Sequence, residues 1–441
     1  MAASIFDSPL YAHLFDTAEA GRLFSDTAAI RAMLLVEGAL AKVQGGLGVI
    51  PELSAAAIHR ATLEIQIDPG ALAGATGENG VSVPGLIAAF RAEMNAPEHA
   101  QYVHWGATSQ DIMDTGLMLR SRQVLALAEA DLRIIIGNLG TQAREHAALP
   151  MAARTYGQHA TPTSWGAVLA QFGTPLLDAL AALEAVRDTS LWVSLSGASG
   201  TASAFGENAA ETRQGLAEGL GLRDPGRSWH TDRGPLLRIA DWQGQVMASL
   251  GHMGQTLLGL TSSDCAEVSL GAAGASSTMP QKQNPVGPSA LVALGQHFTG
   301  LHGTLRASAA HQHQRDGAAW FTEWMVVPQL ALCVASALQH ARTLSRSIAP
   351  LPVQMRSTLD DNLGLVHAEA LSFALAAFMP RPQAQQKAKA LCLEAIDKHI
   401  PLSRLARADY PDLDTAVFDP VRGMGQAKAE ALAFARRAEA I

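Results

Sequence analysis

The chain has 441 residues, 48% of them apolar and only 16% charged, with 32 basic against 40 acidic side chains and a net charge of −8. A chain of this size and apolarity builds a large core and is not disordered, and it has no basic excess with which to neutralise nucleic-acid phosphates. A charged share well below the ~25% of an average globular chain leaves little solvating surface, which implies that further copies of the chain cover much of it.

The pattern is helical nearly throughout. Ser25-Asp26 opens a first helix whose Ile30, Met33, Leu34, Leu40 and Val43 recur at helical spacing until Gly45-Gly46 stops it. A second long periodic stretch covers 112–136, and a loop holding Pro150, Gly157 and Pro162 precedes a helix from about Ser164 to Trp192. The Gly/Ser/Ala stretch 194–206 reads as a loop, followed by a long helix from about Pro235 towards Cys265. After a second small-residue loop, 271–285, helices continue to about 348; Pro350 and Pro352 mark a boundary, and short helices separated by Pro401, Pro411 and Pro420 complete the chain. No alternating β pattern stands out.

Runs of 23, 22 and 23 uncharged residues lie between Arg154 and Asp178, Asp241 and Asp264, and Lys282 and Arg306. Each is long enough to span a bilayer, but their His, Gln, Asn and Ser content suits helices buried in protein. From Trp242 to Ala341 there are seven charged side chains, so these helices need cover on most sides, and a bundle shared between subunits supplies it. Cys265, Cys333 and Cys392 are far apart and show no CxxC spacing, which argues against a zinc knuckle or dithiol site and fits a reducing cytosol. Asp7 and the lack of a basic stretch near the N-terminus argue against a signal peptide.

Residues 271–285, GAAGASSTMPQKQNP, combine small residues, the hydroxyl pair Ser276-Ser277, the cation Lys282, and Asn284 before Pro285. They read either as a linker between buried helices or as a loop whose N–H groups and Lys282 hold a carboxylate or an enolate formed from it. In HQHQRD, His311, His313 and Arg315 make a basic cluster suited to anion binding or plain solvation rather than metal, since Asp316 is the only nearby acid. His297 and His302 read as satisfied core groups.

Three segments carry a resemblance. Ala275–Pro285 resembles the signature GSSxMPxKxNP of the fumarase/aspartase superfamily at every fixed position but Ala275; HWGATSQDIMDT (104–115) resembles HxGxTSxDxxDT; and RTYGQHATPTSWG (154–166) resembles RTHGQxAxPTTxG. GASGT (197–201) is similar to a fourth, weaker element. The resemblance implies an all-α, three-domain fold, divided at 1–110, 111–350 and 351–441, whose central long helices assemble into a homotetrameric core with active sites shared between subunits. It implies proton removal beside a carboxylate without cofactor or metal.

Carried over position by position, Ser276 is the base, Lys282 and Asn284 bind a substrate carboxylate, and Thr108 and Ser109 bind a carboxylate from another subunit. The same segments offer His104, Gln158, Thr161 and Ser277 as further substrate-binding residues, with Arg315 from the HQHQRD stretch. Where the family commonly has a His general acid this chain has Tyr156; His159, three residues on, suits that role at neutral pH, and a hydrogen-bonded core histidine is the competing reading. RDGAAWFTEW (315–324) lacks the second Arg and the hydroxyls of a nucleotide-phosphate site, and together with 23–51 it resembles the superfamily's cycloisomerase branch. That implies a small tricarboxylate substrate without phosphate, in the cytoplasm, with no nucleic-acid or membrane partner; an adenylosuccinate-lyase-type C–N lyase is the alternative.

Overall fold

The computed structural model describes residues 4–271, 274–275, 279, 282–361 and 363–441. Ser276 and Ser277 lie outside the described residues. The fold is all-α, and its backbone is dominated by five long helices: Ser109–Glu145, Trp165–Ser190, Gly234–Leu260, Val286–Ser308 and Gly317–Ser347. By contacts the chain divides into two compact units, each drawn from three stretches, and every one of these helices supplies residues to both. This division runs through the helices and is of a different kind from a linear cut at 110 and 350.

The first unit comprises Met1–Ala130, Ala179–Met247 and Leu294–Gln339. Its opening helix, Asp26–Gly46, starts as its sequence dictates: the Ser25 hydroxyl accepts from the Ala28 N–H at 3.2 Å, satisfying one of the orphan donors of the first turn. Ile30, Met33, Leu34, Val36 and Leu40 are buried, and Glu52–Glu64 packs against this helix. Glu37 is buried in the same apolar face at 1% exposure, which requires a partner for its charge.

The second unit comprises Asp131–Asp178, Ala248–Ala293 and His340–Ile441. Residues 150–164, expected as a loop, form an antiparallel hairpin of Pro150–Thr155 and Gln158–Ser164, paired from Pro150 opposite Ser164 to Thr155 opposite Gln158. Its two-residue turn has φ +52° at Tyr156 and +73° at Gly157, the left-handed pair whose twist suits tight hairpins. Pro162 is tolerated because the ladder is irregular between Ala152 and Arg154. Two further short pairings join Val268–Ser269 to Ala349–Pro350 and Gly274–Ala275 to Gln283–Asn284; the latter closes the base of the 271–285 segment. Towards the C-terminus a separate core forms around Leu371, Leu375, Ala388, Leu391 and Leu402.

Trp165–Ser190 and Gly317–Ser347 are long and apolar enough to cross a membrane, yet their most apolar windows are 67% and 56% buried within the chain. Core helices have this character.

Candidate active site

In the first unit, the 104–115 segment turns into Ser109–Glu145 through a tight corner. Gly106 has φ +77°, and a Cβ there would lie 3.0 Å from the Phe205 ring, so glycine is required twice over. Thr108 caps the helix, and Asp111, three residues on, accepts the Thr108 N–H at 3.1 Å, one half of a capping box. Asp111 is fully buried and does more than cap. It also accepts from Ser196 N (2.8 Å), Gly197 N (2.9 Å), Ser194 Oγ (3.2 Å) and His230 Nε2 (2.8 Å). Five donors around one carboxylate fix the 194–201 loop against the start of the helix that carries Thr108 and Ser109.

Arg315 joins this assembly from 207 residues away. Its Nη2 donates to Thr108 Oγ1 and Ala198 O, both at 3.2 Å, and its Nε donates to Gln110 Oε1 at 3.0 Å. The structure therefore brings Arg315 to the Thr108 hydroxyl, beside Ser109 in sequence. Gln110 in turn donates to Asp114 Oδ2 at 3.2 Å, at the edge of a buried ionic group. Arg233, 2% exposed, is forked between Asp114 (2.8 and 3.2 Å) and Glu323 (2.8 and 2.7 Å), with its guanidinium 4.8 Å from the centre of the Trp229 ring. Burial works against the charged forms here but is outweighed: the Asp114 and Glu323 carboxylates raise the Arg233 pKa, and a hydrogen bond from His311 together with Arg233 lowers that of Glu323. Trp320 Nε1 donates to Asp114 at 3.2 Å and stacks edge-on against Trp324.

The HQHQRD reading is corrected for one member. The His311 side chain is buried and faces Glu323 at 3.3 Å, so it is not a solvated or anion-binding group, whereas His313 is exposed. His302 is satisfied as expected, bonded to Asp241 at 2.8 Å, but His297 is exposed rather than a core group. Among the described residues, no three His, Cys, Asp or Glu side chains gather closely enough to hold a metal ion.

His104, held at φ +65°, sets its Nδ1 2.6 Å from Glu37 Oε1. Burial alone would lower the His104 pKa; the Glu37 carboxylate outweighs it, with a smaller pull from Asp111 and a push from Arg91, so the net shift is upward. The imidazole is thereby biased towards a cation four residues before Thr108.

In the second unit, Gln158, His159 and Thr161 lie on the second strand of the 150–164 hairpin and are exposed, as is Tyr156 at its turn. The buried-histidine reading of His159 is thereby set aside. His159 stands directly across the ladder from Arg154. Arg154 is anchored to buried Glu267 by two bonds of 2.9 Å. Lys282 is exposed, its N–H donating to Met279 O at 3.0 Å, and half-buried Asn284 pairs with Gly274.

Sequence reasoning gave no role to Asp111, Asp114 or Arg154, although all three stand in the segments that carry the resemblance, and it passed over Glu37, His230, Arg233, Glu267 and Glu323. A signal existed for some. Few charges occur between 242 and 341, and each one buried there requires a partner.

A family model described as Lyase matches residues 18–300. A 3-carboxy-cis,cis-muconate cycloisomerase of Pseudomonas aeruginosa is 38% identical over 433 residues, spanning 95% of this chain and 94% of that protein. The crystal structure of 3-carboxy-cis,cis-muconate lactonizing enzyme from Pseudomonas putida superposes with a TM-score of 0.92 at 34% identity, over 98% of this chain and 99% of the other. That of beta-carboxy-cis,cis-muconate cycloisomerase from Acinetobacter calcoaceticus superposes with a TM-score of 0.90 at 27% identity, over 97% and 99%.

Proposed function

The chain belongs to the lyase family, within the fumarase/aspartase superfamily, and from that membership we propose that it is an enzyme interconverting 3-carboxy-cis,cis-muconate and its carboxymuconolactone. The observation that carries this reading is the meeting of the Thr108 hydroxyl and Arg315 on a floor fixed by Asp111: a hydroxyl and a guanidinium suited to a carboxylate, with Ser109 next in sequence. In ring closure one substrate carboxylate adds to a double bond conjugated with another, the electron pair moves onto that second carboxylate as an enolate, and a proton is delivered to the α-carbon. In ring opening the same proton is removed. Atoms balance without any co-reactant.

Ser276 is the group we assign to that proton, with Ser277, Lys282 and Asn284 holding the carboxylate on which charge develops. His159 is assigned as the companion acid, with Gln158 and Thr161 beside it, while His104, Thr108, Ser109 and Arg315 bind the remaining carboxylates. The exposure of the hairpin residues supports a site completed by neighbouring copies, and we propose a homotetramer in the cytoplasm built from the 1–110, 111–350 and 351–441 domains. No cofactor has a role in this scheme, so prolonged EDTA treatment should leave turnover unchanged.

The decisive assay is ultraviolet absorbance. Enzymatically prepared 3-carboxymuconate should lose its conjugated band on addition of the protein; persistence of that band would overturn the reading. Shared sites are tested by mixing Ser276→Ala and Thr108→Ala parents, each inactive: re-assembled mixtures should regain part of the activity. A stable, active monomer in light scattering would rule the shared sites out.

A further inference from the structure

Arg315 is a half-buried cation without a counter-charge: among the described residues no carboxylate pairs with it, and its three acceptors are neutral. They are the Gln110 amide oxygen, reached from Nε at 3.0 Å, and the Thr108 hydroxyl and Ala198 carbonyl, both reached from Nη2 at 3.2 Å. One belongs to the Ser109–Glu145 helix, one to the residue before it and one to the 194–201 loop, so the plane of the guanidinium is fixed from three sides. Nη1 donates to none of the described residues. Neutral acceptors orient a guanidinium and leave its charge available, which sets Arg315 up to meet an anion through Nη1.

Gln110 is itself held on its other side. It is fully buried, and its Nε2 donates to His230 O at 2.9 Å and to Asp114 Oδ2 at 3.2 Å. A carbonyl and a carboxylate accept, so the amide nitrogen faces them, and the amide oxygen is left to face Arg315, which only donates. Asp114 is fixed in turn by Arg233 and by Trp320 Nε1. The buried ionic group thereby dictates the orientation of the amide, and the amide passes it to a guanidinium 205 positions along the chain. All of these residues belong to the first unit. In the pattern HxGxTSxDxxDT, Gln110 fills a position left open, so the resemblance gives it no role.

We propose that Gln110 is a positioning residue: it relays the rigidity of the buried Asp114–Arg233–Glu323 group to Arg315 and aims the free Nη1 edge at a substrate carboxylate without neutralising it. Gln110 does not touch substrate in this scheme. Gln110→Glu would turn the orienting contact into an ion pair and set a second carboxylate beside Asp114, which accounts for an amide at this position. The kinetic consequence rests on the cycloisomerase reading; the structural one does not.

Gln110→Leu removes the amide at similar volume. Because Arg315 is assigned to binding, the expected result is a KM raised about 10-fold with kcat within about threefold of the parent, the signature of lost uniform binding. A variant that merely folded less well would lower the active fraction, and so the apparent kcat, while leaving KM in place. Arg315→Ala should raise KM further. Adding Gln110→Leu to Arg315→Ala should then change KM by less than about twofold, because Gln110 acts through the guanidinium. A crystal structure of Gln110→Leu should show Arg315 Nη2 out of hydrogen-bond reach of Thr108 and Ala198.

A Gln110→Leu variant with KM within about twofold of the parent, a KM effect that persists in full on the Arg315→Ala background, or an unmoved Arg315 in the crystal would overturn the relay. Should Gln110→Leu fail to fold, Gln110→Asn decides in its place, since it keeps the amide but is one methylene short of spanning His230 O and Arg315: a raised KM at steady kcat supports positioning, and parent-like kinetics refute it. If the parent itself does not consume 3-carboxymuconate, the functional reading falls alone, and the place of Arg315 in the variant crystal still decides the relay.

Discussion

The two regions that carry the proposed site residues, one in each unit, are built on opposite terms. Around Thr108, polar groups are buried and densely bonded, although His230 Nδ1 and His311 Nδ1 have no partner: Asp111 accepts five hydrogen bonds, and Arg233 is forked between two carboxylates. Around His159 the side chains project from the exposed end of a hairpin whose turn is left-handed at both residues and which Arg154 ties to buried Glu267. Binding charged carboxylates repeatedly without reorganisation favours a rigid, pre-oriented floor, and a densely hydrogen-bonded buried network provides rigidity. Proton transfer has a different requirement. In the scheme proposed above the acid approaches the substrate from a second direction, and an exposed hairpin could be covered by an adjoining copy without disturbing the floor.

The largest effect separates chemistry from scaffold. Ser276→Ala should lower kcat by ~10²–10⁴, the range typical of acid–base groups, with KM little changed. His159→Gln should act in the same direction on kcat but alter the folded stability by less than about 0.5 kcal/mol, because its side chain is exposed. If His159→Gln were fully active and Tyr156→Phe inactive, the acid would be the turn tyrosine. Ser277→Ala should cost less than Ser276→Ala, since only one of two adjacent hydroxyls can face the α-carbon. Stopped-flow absorbance and differential scanning calorimetry measure the two quantities side by side.

The next effect falls on the floor. Asp111→Ala strips the partners from the His230 imidazole, two loop N–H groups and Ser194, all buried. The loss should be about 3–5 kcal/mol of stability, as for other broken buried ionic contacts, seen as a lower urea midpoint with an unchanged slope. A change below about 1 kcal/mol would mean that the loop is held by something other than Asp111, and the contrast between a densely bonded floor and an exposed hairpin would lose its basis.

The helices were legible because their chemistry is local. Ser25 before a periodic run, and Gly45-Gly46 after it, mark the first helix to the residue. Periodicity over 112–136 falls short of the Ser109–Glu145 helix at both ends, and its start emerges only from the bond of the Thr108 N–H to Asp111. Pro150 and Pro162 argue against strands and Tyr-Gly is a weak turn signal beside Asn-Gly, so the sequence of 150–164 does not announce its hairpin. The residues proposed for the site stand in short segments and were recognisable there as candidates. Their supports were not: His230 lies 119 positions from Asp111, Glu37 lies 67 from His104, and no spacing rule links such pairs.

The smallest effect concerns His104, where floor and solvent meet. Glu37 raises its pKa above the ordinary 6.5 despite burial, helped by Asp111 and opposed by Arg91. A group whose folded pKa lies above its unfolded value binds more protons when folded, so unfolding free energy falls as pH rises between the two values. The stabilisation is complete below about 6.5 and is lost as pH climbs through the raised value. The parent should therefore lose stability from pH 6.5 upward relative to His104→Gln, whose amide can still donate to Glu37 but does not titrate. Substrate affinity should weaken over the same interval if the imidazolium holds a carboxylate, whereas Ser109→Ala should weaken binding by a constant factor at all pH values. Parallel stability curves for the parent and His104→Gln from pH 6 to 9 would show that the Glu37–His104 contact carries no net charge interaction, and would remove His104 from the carboxylate-binding group while leaving Thr108 and Arg315 in place.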